Sequence, residues 1–129
     1  MSNALTYARQ SLAQMLTDND FRTSPEAPQT FSPPLCWVAP RSPYRQPGQS
    51  FARKKIALSV ICLAAAGTNQ TVLEAVDEMT SGVADLIDAS DGFRLDAAEE
   101  IGVPEFYSSA QGQEYLGAAV NVFIEVDRA

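Results

Sequence analysis

Strict alternation of apolar and other positions dominates the end of the chain. Over residues 114–126, Leu116, Ala118, Val120, Val122, Ile124 and Val126 fall on one side, and Tyr115, Ala119, Asn121 and Phe123 on the other. A period of two predicts a long strand with one face against a core. The opposite face sets Tyr and Phe among small residues, a mixture poorly suited to water that points to a partner surface rather than an active site. A second strand is predicted over residues 53–63, with Ile56, Leu58, Val60 and Cys62 on one face and Ala57, Ser59, Ile61 and Leu63 on the other. Apolar residues on both faces place it centrally in a sheet. Residues 35–39 predict a short strand stopped by Pro40. Residues 103–110 predict another beside Pro104, with Gln111 and Gly112 as the turn into the final strand.

Helical spacing occurs twice. Leu5, Ala8, Leu12, Met15 and Leu16 recur at steps of three and four behind Ser2 or Asn3 as caps, until residues 17–20 end the run. After a turn at Gly67 and Thr68, Val72, Val76, Met79, Val83, Leu86 and Ile87 form one stripe, and Thr71 with Glu74 has capping-box spacing. The face opposite that stripe holds Glu74, Asp77, Glu78, Asp85 and Asp88. Between these elements, Pro25, Pro28, Pro33 and Pro34 make residues 23–34 an extended connector, because proline fixes its dihedral and lacks an amide donor. Pro40, Pro43, Pro47 and Gly48 mark residues 40–52 as a basic loop, and residues 90–102 read as acidic and irregular.

The order α-β-β-α-β-β predicts an α+β fold, a mostly antiparallel four-stranded sheet with two helices on one face. At 129 residues one domain, 1–129, accommodates it. Two helical stripes cover one sheet face. Ile61, Leu63, Tyr115, Ala119 and Phe123 are then left on the uncovered face for oligomer contacts, unless the proline-rich connector folds over them.

Composition narrows the chemistry. The chain has no histidine, which removes imidazole-activated nucleophiles and most zinc sites. Cys36 and Cys62 lie in separate apolar segments without metal-ligand spacing, so reduced core thiols are expected rather than a disulfide. Residues 1–10 lack a basic region followed by an apolar one, and the apolar run 56–66 is too short to span a bilayer, which predicts a soluble, unexported chain. Gly112 and Gly117 form no phosphate-binding pattern, and no cofactor or metal is expected. Paired carboxylates such as Asp77 with Glu78, Asp85 with Asp88, and Glu99 with Glu100 read as solvated faces, since general acid/base work needs two unlike environments. A small carboxylate-dependent hydrolase or metal-binding domain on Asp85, Asp88, Glu99 or Glu100, or a ligand-binding domain, is the alternative from another class.

The net charge of −7 is unevenly distributed. Residues 1–55 carry seven basic and three acidic groups (net +4), whereas residues 56–129 carry thirteen acidic groups against Arg94 and Arg128 (net −11). Such polarity suits a subunit that meets copies of itself, or unlike neighbours, through opposite charges. The basic cluster Arg41, Arg45, Arg53, Lys54 and Lys55 has Tyr44 and Phe51 interleaved. In an acidic chain its pull on phosphate is weak and screened, which favours ionic contact with protein over nucleic acid. The candidate partner-binding residues are therefore Arg41, Tyr44, Arg45, Arg53, Lys54 and Lys55, with Tyr115, Ala119 and Phe123 from the final strand. No catalytic residue is expected.

Several local signatures resemble the tail-terminator proteins of long-tailed bacteriophages. They are Trp37-Val38-Ala39-Pro40 before a basic loop, the strand 55–63, the helix 70–87, an acidic loop and a strand near 103–109. Above all, Gln113-Glu114-Tyr115-Leu116-Gly117-Ala118 leads into Val120-Asn121-Val122-Phe123-Ile124-Glu125-Val126. The resemblance implies an α+β subunit that assembles as a homohexameric ring on the tail tube protein. That ring ends tube polymerisation and offers the surface for a head–tail connector protein. DNA passes through it without specific binding, no membrane is involved, and the virion tail is assembled in the host cytoplasm. The connector 23–34 has no counterpart in this resemblance. A neck or head–tail connector adaptor is the alternative within the same class.

Overall fold

A computed structural model describes residues 4–28, 34–47, 53–66, 70–109 and 112–127. Helix α1 (Ala4–Asp18) is followed by the strands β1 (Thr23–Ser24), β2 (Leu35–Pro47) and β3 (Arg53–Ala66). Helix α2 (Gln70–Ala89) leads to β4 (Phe93–Leu95), β5 (Glu105–Ser108) and β6 (Glu114–Asp127). The strands form one sheet in the order β1-β2-β3-β6-β4, with β5 also paired to β6. The expected caps Ser2 and Asn3, the turns at Gly67, Thr68 and Gln111, and the loop positions 48–52 including Phe51 lie outside the described residues.

The α+β class and the two helices agree with the hydrophobic pattern; the four-stranded antiparallel sheet does not. β1 runs parallel to β2, pairing Thr23 with Cys36 and Ser24 with Trp37, and so makes the sheet mixed. β4 joins the edge of β6 within the stretch expected to be irregular, and Ile101 adds an isolated bridge to Val120. Strands of two or three residues are too short to show a period. They are held by backbone bonds to the edges of longer neighbours.

The basic loop is also corrected. β2 continues to Pro47, pairing Arg45, Gln46 and Pro47 with Ile56, Lys55 and Lys54. Pro40 is tolerated for a geometric reason. The Cys36 N–H points away from β3, to the Arg22 carbonyl at 3.0 Å, and Pro40, four residues on, presents its missing donor on the same outer side. Between Pro40 and Arg45, β2 takes five residue steps where β3 takes two, from Leu58 to Ile56. This wide bulge is where the proline signal lay.

One face of the sheet receives both helices. Ala8, Leu12 and Leu16 of α1 and Val83 and Ile87 of α2 are buried with Ile56, Leu58 and Val60 of β3 and Val120 and Val122 of β6. Each full burial of such a side chain is favourable by roughly 1.5–3 kcal/mol. Further along, Val72 and Val76 close over Leu116 and Ala118. The stripes read from the sequence are those that pack. Helix α2 begins at Gln70, one residue before the expected cap, so Thr71 lies within the first turn.

Helix α1 closes in a Schellman arrangement. The Phe21 N–H donates to the Leu16 carbonyl (2.9 Å) and the Asp20 N–H to the Thr17 carbonyl (3.2 Å), with Asp20 at φ 73°. Phe21 then packs on the helix-side core.

Candidate partner-binding surface

The face away from the helices divides into three zones. In the first, Leu35, Trp37, Ile61, Leu63 and Tyr115 are buried together, with Ala39, Tyr107 and Ala119 packed against them. Trp37 meets Tyr107 edge-to-face at 5.9 Å between ring centroids. Burial, then the neighbouring Glu105, pushes the Tyr107 hydroxyl up to about 12. Gly117 makes this packing possible. A methyl group there would meet Leu63, the Cys62 carbonyl oxygen at 2.5 Å and Tyr107 at 3.2 Å. Ile61, Leu63 and Tyr115, expected on an uncovered face, are thus enclosed within the chain. Tyr115 offers a partner almost nothing, and Ala119 is half-buried.

The second zone is a polar seam. Arg41, expected as a free loop cation, emerges from the bulge and crosses β3 and β6. Its Nε donates to the Leu58 carbonyl (3.2 Å), one terminal nitrogen to the Val122 carbonyl (3.0 Å) and the other to Asp96 Oδ2 (2.8 Å). The Ala98 N–H donates to the second Asp96 oxygen at 2.9 Å. That bond, followed by the charges of Arg41 and Lys55, holds the Asp96 carboxyl below its ordinary range despite some burial. Beside it, the Ser59 hydroxyl donates to Asn121 Oδ1 (2.9 Å), and Asn121 Nδ2 donates to the Glu99 carbonyl (2.9 Å) and to Glu99 Oε1 (3.1 Å). Backbone bonds from Asp96 to Asn121, from Asn121 to Glu100 and from Gly102 to Ala119 fasten the acidic stretch along β6. Asn121 and Ser59 were visible in the sequence as polar positions on one face of two apolar strands. Their partners were not, because 62 and 22 residues separate the bonded pairs.

The third zone is cationic. The Lys55 ammonium sits 4.1 Å from the centroid of the Phe123 ring, a favourable arrangement because the ring face is electron-rich. Arg53 donates to the Glu125 carbonyl at 3.1 Å. Arg94, on β4, is in register with Phe123. Arg53 and Arg94 line a cleft of 330 Å³ with Asp91, Phe123 and Glu125. Sequence reasoning missed Arg94, since Phe93-Arg94-Leu95 is too short to reveal its in-out-in pattern. Arg45, paired with Ile56, and Lys54, two residues before Ile56, fall on the helix-side face, the first exposed and the second half-buried, and Tyr44 packs against the helix-side core instead of facing a partner. Among the described residues, Arg41 and Asp96 form an ion pair, whereas Arg45, Arg53, Lys54, Lys55 and Arg94 make none.

The acidic counterpart lies across the molecule's other layer. Glu74, Asp77, Glu78, Asp85 and Asp88 are exposed on the outer face of α2. Asp85 and Asp88 share one solvated environment, and Glu99 is engaged with Asn121. Among the described residues no three carboxylate or thiol groups converge to hold a metal ion, and no helix is long and apolar enough to cross a membrane. A separate apolar cleft of 670 Å³ lies between α2 and the segment after α1, lined by Phe21, Pro34, Ala64, Ala75 and Met79 with Glu78 at its side. It gathers no nucleophile and base pair. No protein-family model matches this chain, and no curated protein matches it.

Proposed function

We propose that the chain is a structural subunit of a bacteriophage tail, one that caps the tail tube as a homohexameric ring, ends tube polymerisation and provides the head-joining surface. The observation that carries this reading is the separation of unpaired charge. Arg45, Arg53, Lys54, Lys55 and Arg94 make no ion pair among the described residues, while the outer face of α2 presents five exposed carboxylates. A closed ring needs two different, complementary patches on each subunit, and opposite charges left open on one chain are suited to that. Its partners in this reading are further copies of itself, the tail tube protein and a head–tail connector protein. Assembly takes place in the host cytoplasm and the product resides in the virion tail.

The part played by Tyr115 in the sequence-based expectation passes to Phe123 and Arg94, since Tyr115 is enclosed by its own chain. Reversing Arg53, Lys54 and Lys55 to Glu tests the reading. Ring formation or tube capping weakens if it is right, and a variant that still caps tails normally overturns it. Electron microscopy of particles lacking the protein supplies the second arm. Overlong tails support a terminator, whereas finished tails without heads support the neck adaptor instead.

A further inference from the structure

We propose that Cys36 and Cys62 constitute an oxidisable dithiol, a site where a peroxide-class oxidant forms a reversible disulfide between β2 and β3. The inference is independent of the ring. Both thiols are free and buried, and they are direct cross-strand partners in the β2–β3 register. Their sulfurs stand 3.6 Å apart, with Cys36 Sγ donating to Cys62 Sγ and Cys62 Sγ donating to the Val60 carbonyl at 3.8 Å.

The backbone is already suited to the bond. Because the Cys36 N–H is spent on the Arg22 carbonyl, the pair is of the non-hydrogen-bonded kind, in which opposing Cα atoms lie about 4.5 Å apart. Disulfides accept Cα separations of about 4.4–6.8 Å. Only the side chains need to rotate for the sulfurs to close. The two residues are 26 positions apart, so the bond ties the root of the β2–β3 pair and leaves its cationic end untouched.

Hydrogen peroxide completes the balance. One thiolate attacks a peroxide oxygen, the O–O bond breaks, and a sulfenic acid and one water result. The second thiol then displaces the sulfenic oxygen as another water, so two S–H bonds and one O–O bond give way to one S–S bond and two new O–H bonds, and the peroxide leaves as two waters. The hydrogen bond with Cys36 and burial push the Cys62 thiol up, which slows the first step and keeps the pair reduced where oxidants are weak. Burial admits only a small oxidant and excludes bulky disulfides.

Titrating the native full-length chain with hydrogen peroxide tests the site by intact mass, peptide mapping and thermal unfolding. The expected result is a mass loss of about 2 Da, a mapped Cys36–Cys62 link and a Tm higher by about 10 °C, all reversed by dithiothreitol. Oxygen addition to sulfinic acid overturns the proposal, as do intermolecular dimers, or thiols that persist at doses oxidising the urea-unfolded chain. The Cys62→Ala chain must lose both the mass decrease and the Tm rise; a rise that survives there also overturns it.

Discussion

The two faces of β3 and β6 are built from the same strands and are held by different physics. On the helix side, aliphatic side chains from five elements meet at nearly complete burial. That attraction is non-directional and needs only the right periodicity. On the other side an aromatic cluster, a polar seam and a cationic end follow one another along the same strands. Only the first zone is hydrophobic packing. The seam depends on directional bonds, and the cationic end contributes little to holding the chain together. An apolar face in a sequence therefore signals burial without identifying the cover.

The largest expected effect lies on the helix face. Leu58 is fully buried at the centre of its cluster, and Leu58→Ala should cost about 4 kcal/mol through lost transfer energy and a cavity that the rigid sheet cannot close. Urea unfolding measures it. If Leu58→Ala cost no more than changes in the cationic zone, the contrast between the faces would fail. Next comes the aromatic zone, where Gly117→Ala forces a methyl group against Leu63 and the Cys62 backbone. Backbone cannot yield as a side-chain tip does, so a loss of about 3 kcal/mol is expected in the same measurement. A neutral result would mean that Tyr107 and Leu63 do not close over β6 as they do here.

These two faces were unequally legible in the sequence. Leu12, Val76, Leu58 and Val120 announced the helix-side core through spacing alone, because a period repeated over many residues averages out local exceptions. The second face was half legible. The apolar character of Ile61, Leu63 and Tyr115 was plain, but their cover was assigned to a partner. The enclosing residues include Trp37, 24 positions before Ile61 in the chain, and Tyr107 on a four-residue strand. Pro40, Pro43 and Pro47 misled for a related reason: proline excludes a central strand, and β2 beyond Pro40 is a bulged edge. Of the candidate partner residues, Arg45, Arg53, Lys54 and Lys55 remain cations with open bonding capacity. Arg41 and Tyr44 turned inward because three surplus bulge residues redirect them.

The polar seam predicts an intermediate effect with a pH signature. Arg41→Met keeps the aliphatic stem but strands Asp96 and removes the side-chain donors from two carbonyls of the β3–β6 ladder, at a cost of about 2 kcal/mol. Asp96 is held below its ordinary range first by the Ala98 N–H and then by Arg41. Its folded-state pKa is thus depressed, so its contribution is present above the unfolded value of about 3.9 and disappears as pH falls through the folded value. Asp96→Asn should therefore show a shallower loss of stability than the native chain below about pH 4, as followed by urea midpoints across pH. Parallel curves would show that the seam carries no charge-dependent stability.

The smallest effect on folding belongs to the cationic end, where it separates binding from stability most sharply. Lys55 is tied to the chain by its contact with Phe123 and by ladder pairing that any residue can make. Lys55→Met keeps the aliphatic contact with the ring and loses the cation–π attraction, roughly 0.5–1 kcal/mol at an accessible site, together with its minor share of the charge acting on Asp96. Chemical unfolding should barely distinguish it from the native chain, while, if the proposed ring forms, its sedimentation at low salt should shift toward free subunits. Coulombic contacts between exposed groups weaken as salt rises, so the two chains should converge near 1 M salt, where the Debye length is about 3 Å. If Lys55→Met instead unfolds the chain as readily as Arg41→Met, the cationic zone belongs to the fold. The boundary between structure and surface would then lie beyond Phe123 rather than at Asp96.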